Sequence, residues 1–129
     1  MPRRTFSVVT VHAAQSSGDD GFRVSTSGDG VALNVVVEGE FDLGARTHWE
    51  AAVLPLLTPP CPQLLDVDLG GVDFFDSSGL GLLVELRQWS EPNGVRLRLL
   101  NPPRNVVCVL EFAGVSGLFE MSAAQLEPD

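Results

Sequence analysis

In the middle of this chain, a short strand pattern is followed closely by a long helix pattern. Residues 64–69 alternate apolar and polar side chains, as a half-buried strand does. Residues 78–90 carry Leu82, Leu86 and Trp89 at helical spacing, so one face of a helix there is apolar. A strand followed so closely by a helix favours the α/β class, in which helices connect parallel strands.

The same two patterns recur on both sides of this unit. Further strands are predicted over residues 22–26, 31–37 and 95–100, further helices over residues 45–57 and from Pro102 or Pro103 to Gly114, and a short final strand or packing segment at Leu118 and Phe119. Gly28, Asp29 and Gly30 suit the loop of an opening β-hairpin. Because strands joined through helices become parallel neighbours, we expect an α/β fold: a mixed four- to five-stranded sheet with about three helices mainly on one face.

The first part of the chain differs from the rest. Residues 12–21 carry no apolar periodicity, so residues 1–21 are predicted to be a flexible leader or an extra strand. A chain of 129 residues suits one domain, which we expect over residues 22–129. Cys61 and Cys108 lie too far apart for a CxxC pair or a metal site, so a reducing, cytoplasmic location is expected.

The charge balance excludes several classes of function. The net charge is −9, which disfavours binding to nucleic acid or to an anionic membrane surface. No window holds the roughly 18 apolar residues that a membrane span needs. Every cationic side chain other than histidine is arginine, so a Walker A loop and Schiff-base chemistry both lack their lysine.

The segment most suggestive of function joins the strand over residues 64–69 to the helix that follows it. Asp76, Ser77 and Ser78 stand in a row where one helix N-cap is needed, so capping alone explains only one of them. Gly79 and Gly81 follow in the first turn, although glycine disfavours a helix. We interpret them as keeping the serine hydroxyls clear and letting another molecule approach the backbone amides, where a phosphate would be favoured.

Serine and dinucleotide chemistry fit this segment poorly. A nucleophile elbow needs glycine two positions before the serine, and Phe75 and Asp76 stand there instead. The two histidines, His12 and His48, lie in the leader and on the first helix, so a catalytic triad is not favoured. The spacing from Gly79 onward provides only two of the three glycines of a dinucleotide fingerprint.

A carboxylate pair leaves a further alternative open. Asp66 and Asp68, with Asp76, resemble the aspartates of an Mg²⁺-dependent phosphotransfer enzyme. That chemistry commonly uses a lysine, which this chain lacks. The other interpretation is that Asp66 and Asp68 are the solvent-facing residues of a half-buried strand.

Four segments in order resemble one family. Residues 74–81 read Phe-Phe-Asp-Ser-Ser-Gly-Leu-Gly, which is similar to the signature of STAS-domain anti-sigma factor antagonists. Supporting segments are Gly-Glu-Phe-Asp at 39–42, Arg-Leu-Arg-Leu-Leu-Asn-Pro at 96–102, Val-Leu-Glu-Phe-Ala-Gly-Val at 109–115, and Leu-Phe at 118–119. The resemblance covers roughly residues 22–122.

The resemblance implies a partner-switching protein of bacterial transcription regulation. The unmodified protein would bind an anti-sigma factor that is also a serine kinase, and so release a sigma factor; a phosphatase would be a further partner. Ser77 would be the phosphoacceptor, with Asp42 and Asp76 beside it and Ser78 holding or capping the loop. The remaining partner-binding loop residues would be Gly79, Leu80 and Gly81.

The same resemblance implies no catalytic residue, no metal and no cofactor. It also leaves an alternative role as a STAS scaffold subunit of another signalling or transport complex, since a fold does not fix function. Two features depart from the family pattern, namely Pro55 in the first helix and the leader.

Overall fold

Six strands form one mixed sheet in the computed structural model, which describes the backbone of residues 6–12 and residues 21–122 in full. The strands are β1 (Phe6–His12), β2 (Phe22–Gly28), β3 (Ala32–Phe41), β4 (Leu64–Phe75), β5 (Arg96–Leu100) and β6 (Glu120–Ser122). The helices are α1 (Arg46–Val53), α2 (Ser77–Ser90) and α3 (Arg104–Phe112), with 3₁₀ turns at Leu43–Ala45, Leu54–Leu57 and Ser116–Leu118. The α/β class and the mixed sheet are confirmed.

The strands lie side by side in chain order, which places the helices together. β1, β2 and β3 are antiparallel neighbours, whereas β3, β4, β5 and β6 are parallel. Each parallel step moves in the same direction and passes through a helix, so right-handed crossovers bring α1, α2 and α3 to the same face. The strand side chains that face these helices are buried. Examples are Val35, Val67 and Leu99, which are paired in register across β3, β4 and β5.

The opening hairpin forms as its residues predict. The Asp29 side chain accepts hydrogen bonds from the backbone N–H groups of Val31 (2.9 Å) and Ala32 (3.0 Å). Gly30 has a φ of 90°, a conformation that a side chain would disfavour. The turn therefore sets the antiparallel register between β2 and β3.

The predicted end of the central strand at residue 69 is wrong. β4 continues through Gly70 and Gly71 to Phe75 and stays paired with β3, with register irregularities on the way. A Cβ atom at Gly71 would lie 2.7 Å from the Glu38 side chain, so glycine lets the two strands remain close there. The glycines thus carry the strand through an irregularity and do not stop it.

The helix boundaries differ in detail from the prediction. The first helix was expected over residues 45–57, but α1 ends at Val53 and gives way to the 3₁₀ turn that contains Pro55. The predicted irregular last turn is confirmed, because proline removes a backbone donor there. α3 begins at Arg104 directly after Pro103, and Gly114 follows its end with a φ of 76°.

The first and last strands of the sheet differ from the prediction. Phe6–His12 pairs with β2 as β1, in line with the extra strand that was one of the two alternatives for the leader, so the sheet of the described residues has six strands where four to five were expected. Residues 13–20, also part of the predicted leader, lie outside the described residues. Phe119 is a buried packing residue, and the final strand starts only at Glu120. Within residues 6–12 and 21–122, no helix has the length and apolar character required to cross a membrane.

Candidate functional site

Two aspartates follow neighbouring strand ends at the carboxyl edge of the sheet. Phe41 of β3 and Phe75 of β4 are paired in register, so Asp42 and Asp76 leave the sheet side by side. Asp76 accepts hydrogen bonds from the backbone N–H groups of Ser78 (2.9 Å) and Gly79 (3.3 Å). It is therefore the N-cap of α2, and Ser78, which was predicted to hold or cap the loop, is instead one of the residues that Asp76 caps.

Ser77 is the first residue of α2, and its side chain is exposed. Because Asp76 supplies the cap, the Ser77 hydroxyl is not needed for helix formation. Within the described part of the chain, that hydroxyl makes no hydrogen bond to another residue. An incoming molecule can therefore reach it.

The two glycines of the loop have different environments. Gly79 is buried, and a Cβ atom there would lie 2.2 Å from the backbone oxygen of Phe41. Gly79 is thus required for packing of α2 against the end of β3, which differs from the predicted role in admitting another molecule. Gly81 has open space where a side chain would be, so its role in admitting another molecule stays a prediction. Leu80 is buried, so the loop presents Ser77, Ser78 and Gly81 at its surface rather than Leu80.

A shallow depression of about 150 Å³ lies beside the exposed hydroxyl. Its lining is Asp42, Leu43, Arg46, Ser77, Ser78, Gly81 and Leu82. Leu43 is 72% exposed, and Phe74, one residue before the paired Phe75, is 47% exposed. The edge of the sheet that carries Ser77 thus combines a hydroxyl, two exposed apolar side chains and carboxylates, a combination suited to protein contact.

Arg46 links α1 to α2 at this depression. Its guanidinium donates to Glu85 of α2 (2.9 Å) and to Glu50 of its own helix (2.7 Å). The hydrogen bond to Glu85 is the largest cause of a raised pKa at Arg46, and the bond to Glu50 is the second. The bond from Arg46 in turn lowers the pKa of Glu85. Sequence reasoning identified neither Leu43 nor Arg46. The spacing of Arg46 and Glu50 was the available signal for an ion pair, but nothing local pointed to Glu85.

The remaining candidate carboxylates are held within the sheet. Asp66 forms a two-pronged ion pair with Arg98 of β5, at 2.7 and 2.8 Å. Asp68 accepts from the backbone N–H of Gly70 (2.9 Å) and from the Asn101 side chain (3.3 Å). Within the described ranges, no group of three His, Cys, Asp or Glu side chains could hold a metal ion. The alternating burial of this part of β4 bears out the half-buried strand, but the Asp66 side chain is only 15% exposed because it pairs with Arg98 and does not simply face solvent.

Comparison with known proteins identifies the family. The family model described as "Mlab, STAS domain" matches residues 24–121. The chain belongs to the STAS domain family. A STAS-domain containing protein of Pseudomonas aeruginosa is 30% identical over 96 residues, which cover 74% of this chain and 93% of that relative.

Solved STAS domains have the same architecture. The unphosphorylated anti-sigma factor antagonist SpoIIAA superposes with a TM-score of 0.62 at 27% identity, over 72% of this chain and 80% of that one. The STAS domain of a Vibrio cholerae SulP transporter superposes with a TM-score of 0.54 at 26% identity, over 67% and 69% of the two chains. A sulfate transporter family protein from Wolinella succinogenes, 20% identical with a TM-score of 0.61 over 72% and 76%, shares the fold. This STAS domain thus has structural relatives in both signalling and transport.

Proposed function

We propose that this STAS domain is an anti-sigma factor antagonist switched by phosphorylation of Ser77. The observation that carries the proposal is the exposed Ser77 hydroxyl at the start of α2, where Asp76 already supplies the cap. SpoIIAA, which is similar in sequence and fold, has been solved in unphosphorylated and phosphorylated forms. The bound partner would be an anti-sigma factor with serine kinase activity, and binding would release its sigma factor.

The chemical step belongs to the partner kinase. It would transfer the terminal phosphoryl group of ATP to the Ser77 oxygen, breaking the bond between the γ-phosphorus and its bridging oxygen. ADP leaves, and the hydroxyl proton passes to the kinase or to solvent. The STAS domain contributes an accessible nucleophile on a rigid helix end, and the reaction requires no catalytic group of its own.

The effect of the phosphate on docking follows from its charge. Phosphorylation adds about −1.5 to −2 charges at neutral pH. The added charge lies beside Asp42 and Asp76 on a chain whose net charge is already −9. A partner surface fitted to a small neutral hydroxyl would then face a bulky anion, which reduces affinity through a poorer fit of shape and charge.

Leu43 and Phe74 would anchor the unmodified complex. Both are exposed: Leu43 lies in the 3₁₀ turn that follows β3, and Phe74 is the second-last residue of β4. Large apolar side chains that become buried on binding commonly provide most of the affinity of an interface. The hydroxyl between these strand ends would then decide whether the anchors can engage.

A second candidate is a STAS subunit of a transport complex. It is favoured by the family model, described as "Mlab, STAS domain", and by the similarity to STAS domains of transport proteins. In that role, the edge around Ser77 would still contact a protein, but the contact would not depend on a sigma factor or on its regulator.

The test uses two neighbouring serines as variant and control. The purified chain is incubated with each serine-kinase anti-sigma factor of its host and Mg-ATP, and phosphopeptides are located by mass spectrometry. We expect phosphate on Ser77, none in Ser77→Ala, and normal incorporation in Ser78→Ala. The unmodified chain should bind that kinase about 100-fold more tightly than the phosphorylated chain, a difference of about 2.7 kcal/mol. Phosphate on another residue, or equal affinity of both forms, would contradict the proposal.

A further inference from the structure

Arg46 is the cation that lines the depression beside Ser77. Of the other arginines in the described residues, Arg23, Arg96 and Arg98 pair with partners on the sheet and Arg87 pairs with Glu91 at the end of α2. Arg104 stands at the start of α3. Within residues 21–122, Arg46 is therefore the arginine placed to meet a phosphate on Ser77.

The present ion pairs of Arg46 leave it able to exchange a carboxylate partner for another anion. Its described bonds, one to Glu50 and two to Glu85, use three of the five N–H donors of a guanidinium. The Glu50 and Glu85 side chains are 40% and 55% exposed, so water screens both ion pairs and can solvate either carboxylate after release.

A phosphate on Ser77 would be a stronger partner than either carboxylate. It carries up to two negative charges and three acceptor oxygens, and arginine binds such a group through paired N–H donors. The other neighbours of the phosphate, Asp42 and Asp76, are acidic and cannot balance its negative charge. Resting on the function proposed above, we propose that Arg46 binds the phosphoryl group of Ser77 and gives up Glu85 to do so.

The exchange would also change how α1 and α2 are connected. The Arg46–Glu85 ion pair joins α1 to α2 and would be replaced by a contact from α1 to the first residue of α2. Glu85 also lines the apolar groove between these helices, together with Trp49, Leu54 and Trp89. Phosphorylation would thus leave the Glu85 carboxylate, which lines that groove, without its arginine partner.

The second ionisation of the phosphoserine reports this contact directly. The chain is produced with phosphoserine inserted at position 77 during translation, and its phosphorus NMR shift is followed against pH. A nearby cation favours the dianion, so Arg46 should lower the phosphate pKa. We expect Arg46→Gln to raise the titration midpoint by about 0.5 to 1 pH unit, and Arg87→Gln, the matched control on α2, to leave it unchanged.

Two further variants complete the test. Glu85→Gln removes the competitor, so the midpoint should stay as low as in the unaltered chain or fall further. Arg46→Lys keeps a charge without the paired donors and should restore part of the shift, which keeps the test valid if Arg46→Gln folds poorly. The proposal would be overturned if the phosphate titration midpoint were the same in the unaltered chain and in every Arg46 variant that folds.

This experiment is independent of the kinase, because the phosphoserine is inserted directly. A normal Arg46 effect together with no phosphorylation by any anti-sigma factor would refute the proposed function alone. Phosphorylation of Ser77 by a kinase together with no Arg46 effect would refute the phosphate contact alone.

Discussion

Asp42 and Asp76 occupy equivalent positions at the ends of two paired parallel strands. Each follows a phenylalanine of the pair Phe41 and Phe75, and each caps the helical turn that begins after it. Their backbone angles are nearly the same, with φ and ψ of −137° and −162° at Asp42 and −135° and −168° at Asp76. This arrangement presents Ser77 on a capped, rigid helix end beside the start of the preceding helical segment.

The Asp76 cap should contribute measurably to stability. Asp76→Ala leaves the N–H groups of Ser78 and Gly79 without their acceptor, so the free energy of unfolding should fall by about 1 kcal/mol. Asp76→Asn retains an acceptor and should cost little. Urea unfolding measures both, and equal stability of the alanine variant and the unaltered chain would argue against the cap.

The two loop glycines should respond oppositely to alanine. Gly79→Ala places a Cβ atom 2.2 Å from the Phe41 oxygen and should destabilise the fold by about 1–3 kcal/mol or more. Gly81→Ala meets open space and replaces a poor helix former, so it should be neutral or stabilise by up to about 1 kcal/mol. Thermal unfolding of the two variants side by side tests this, and equal losses would contradict the packing role of Gly79.

The Asp66–Arg98 ion pair should stabilise the sheet, and Asp66 should have no catalytic role. Asp66→Asn weakens a two-pronged bond to a half-buried arginine and should lower the free energy of unfolding by about 1.5–3 kcal/mol. Arg96→Gln, in a more exposed pair with Glu120, is the control and should change little. Phosphate release from an aryl phosphate that disappears in Asp66→Asn would instead support the phosphotransfer alternative.

The apolar side chains at the site edge should serve binding rather than stability. Leu43→Ser and Phe74→Ser should each weaken binding of the kinase partner by about tenfold or more, because each removes an exposed apolar contact. Leu118→Ser is the control, since Leu118 is 45% exposed but precedes β6 at the opposite edge of the sheet. Calorimetric titration measures the affinity. Equal effects of all three changes would contradict the assignment of Leu43 and Phe74 to the binding surface.

The Arg46–Glu85 ion pair should make a small contribution to stability that depends on pH. The bond from Arg46 lowers the pKa of Glu85 below its ordinary value of 4.5. The contribution is therefore fully present above that value and is lost as pH falls through the lowered pKa of the folded protein. The unaltered chain should exceed Glu85→Gln in stability at pH 7, and the gap should close toward pH 3. A gap that is constant with pH would exclude the ion pair as its cause.

Much of the fold and part of the site were predictable because local patterns encode them. The hairpin at Asp29, the strand alternation around Val67 and the helix end near Gly114 depend on neighbouring residues and were correctly anticipated. The carboxyl-edge position of Ser77 also followed from strand and helix order. The continuation of β4 past Gly71 was missed, because the reason lies in the Glu38 side chain of another strand.

The sequence by itself determined the α/β order, the row of cap-competent residues from Asp76 to Ser78 before a helix, and the lack of a lysine. These follow from residue type and spacing along the chain. Only the tertiary structure decided that Gly79 packs against Phe41 and that Arg46 reaches Glu85, 39 positions away. The physical reason is that parallel pairing of β3 with β4 brings the starts of two helical segments together, and no local pattern specifies which side chains then meet.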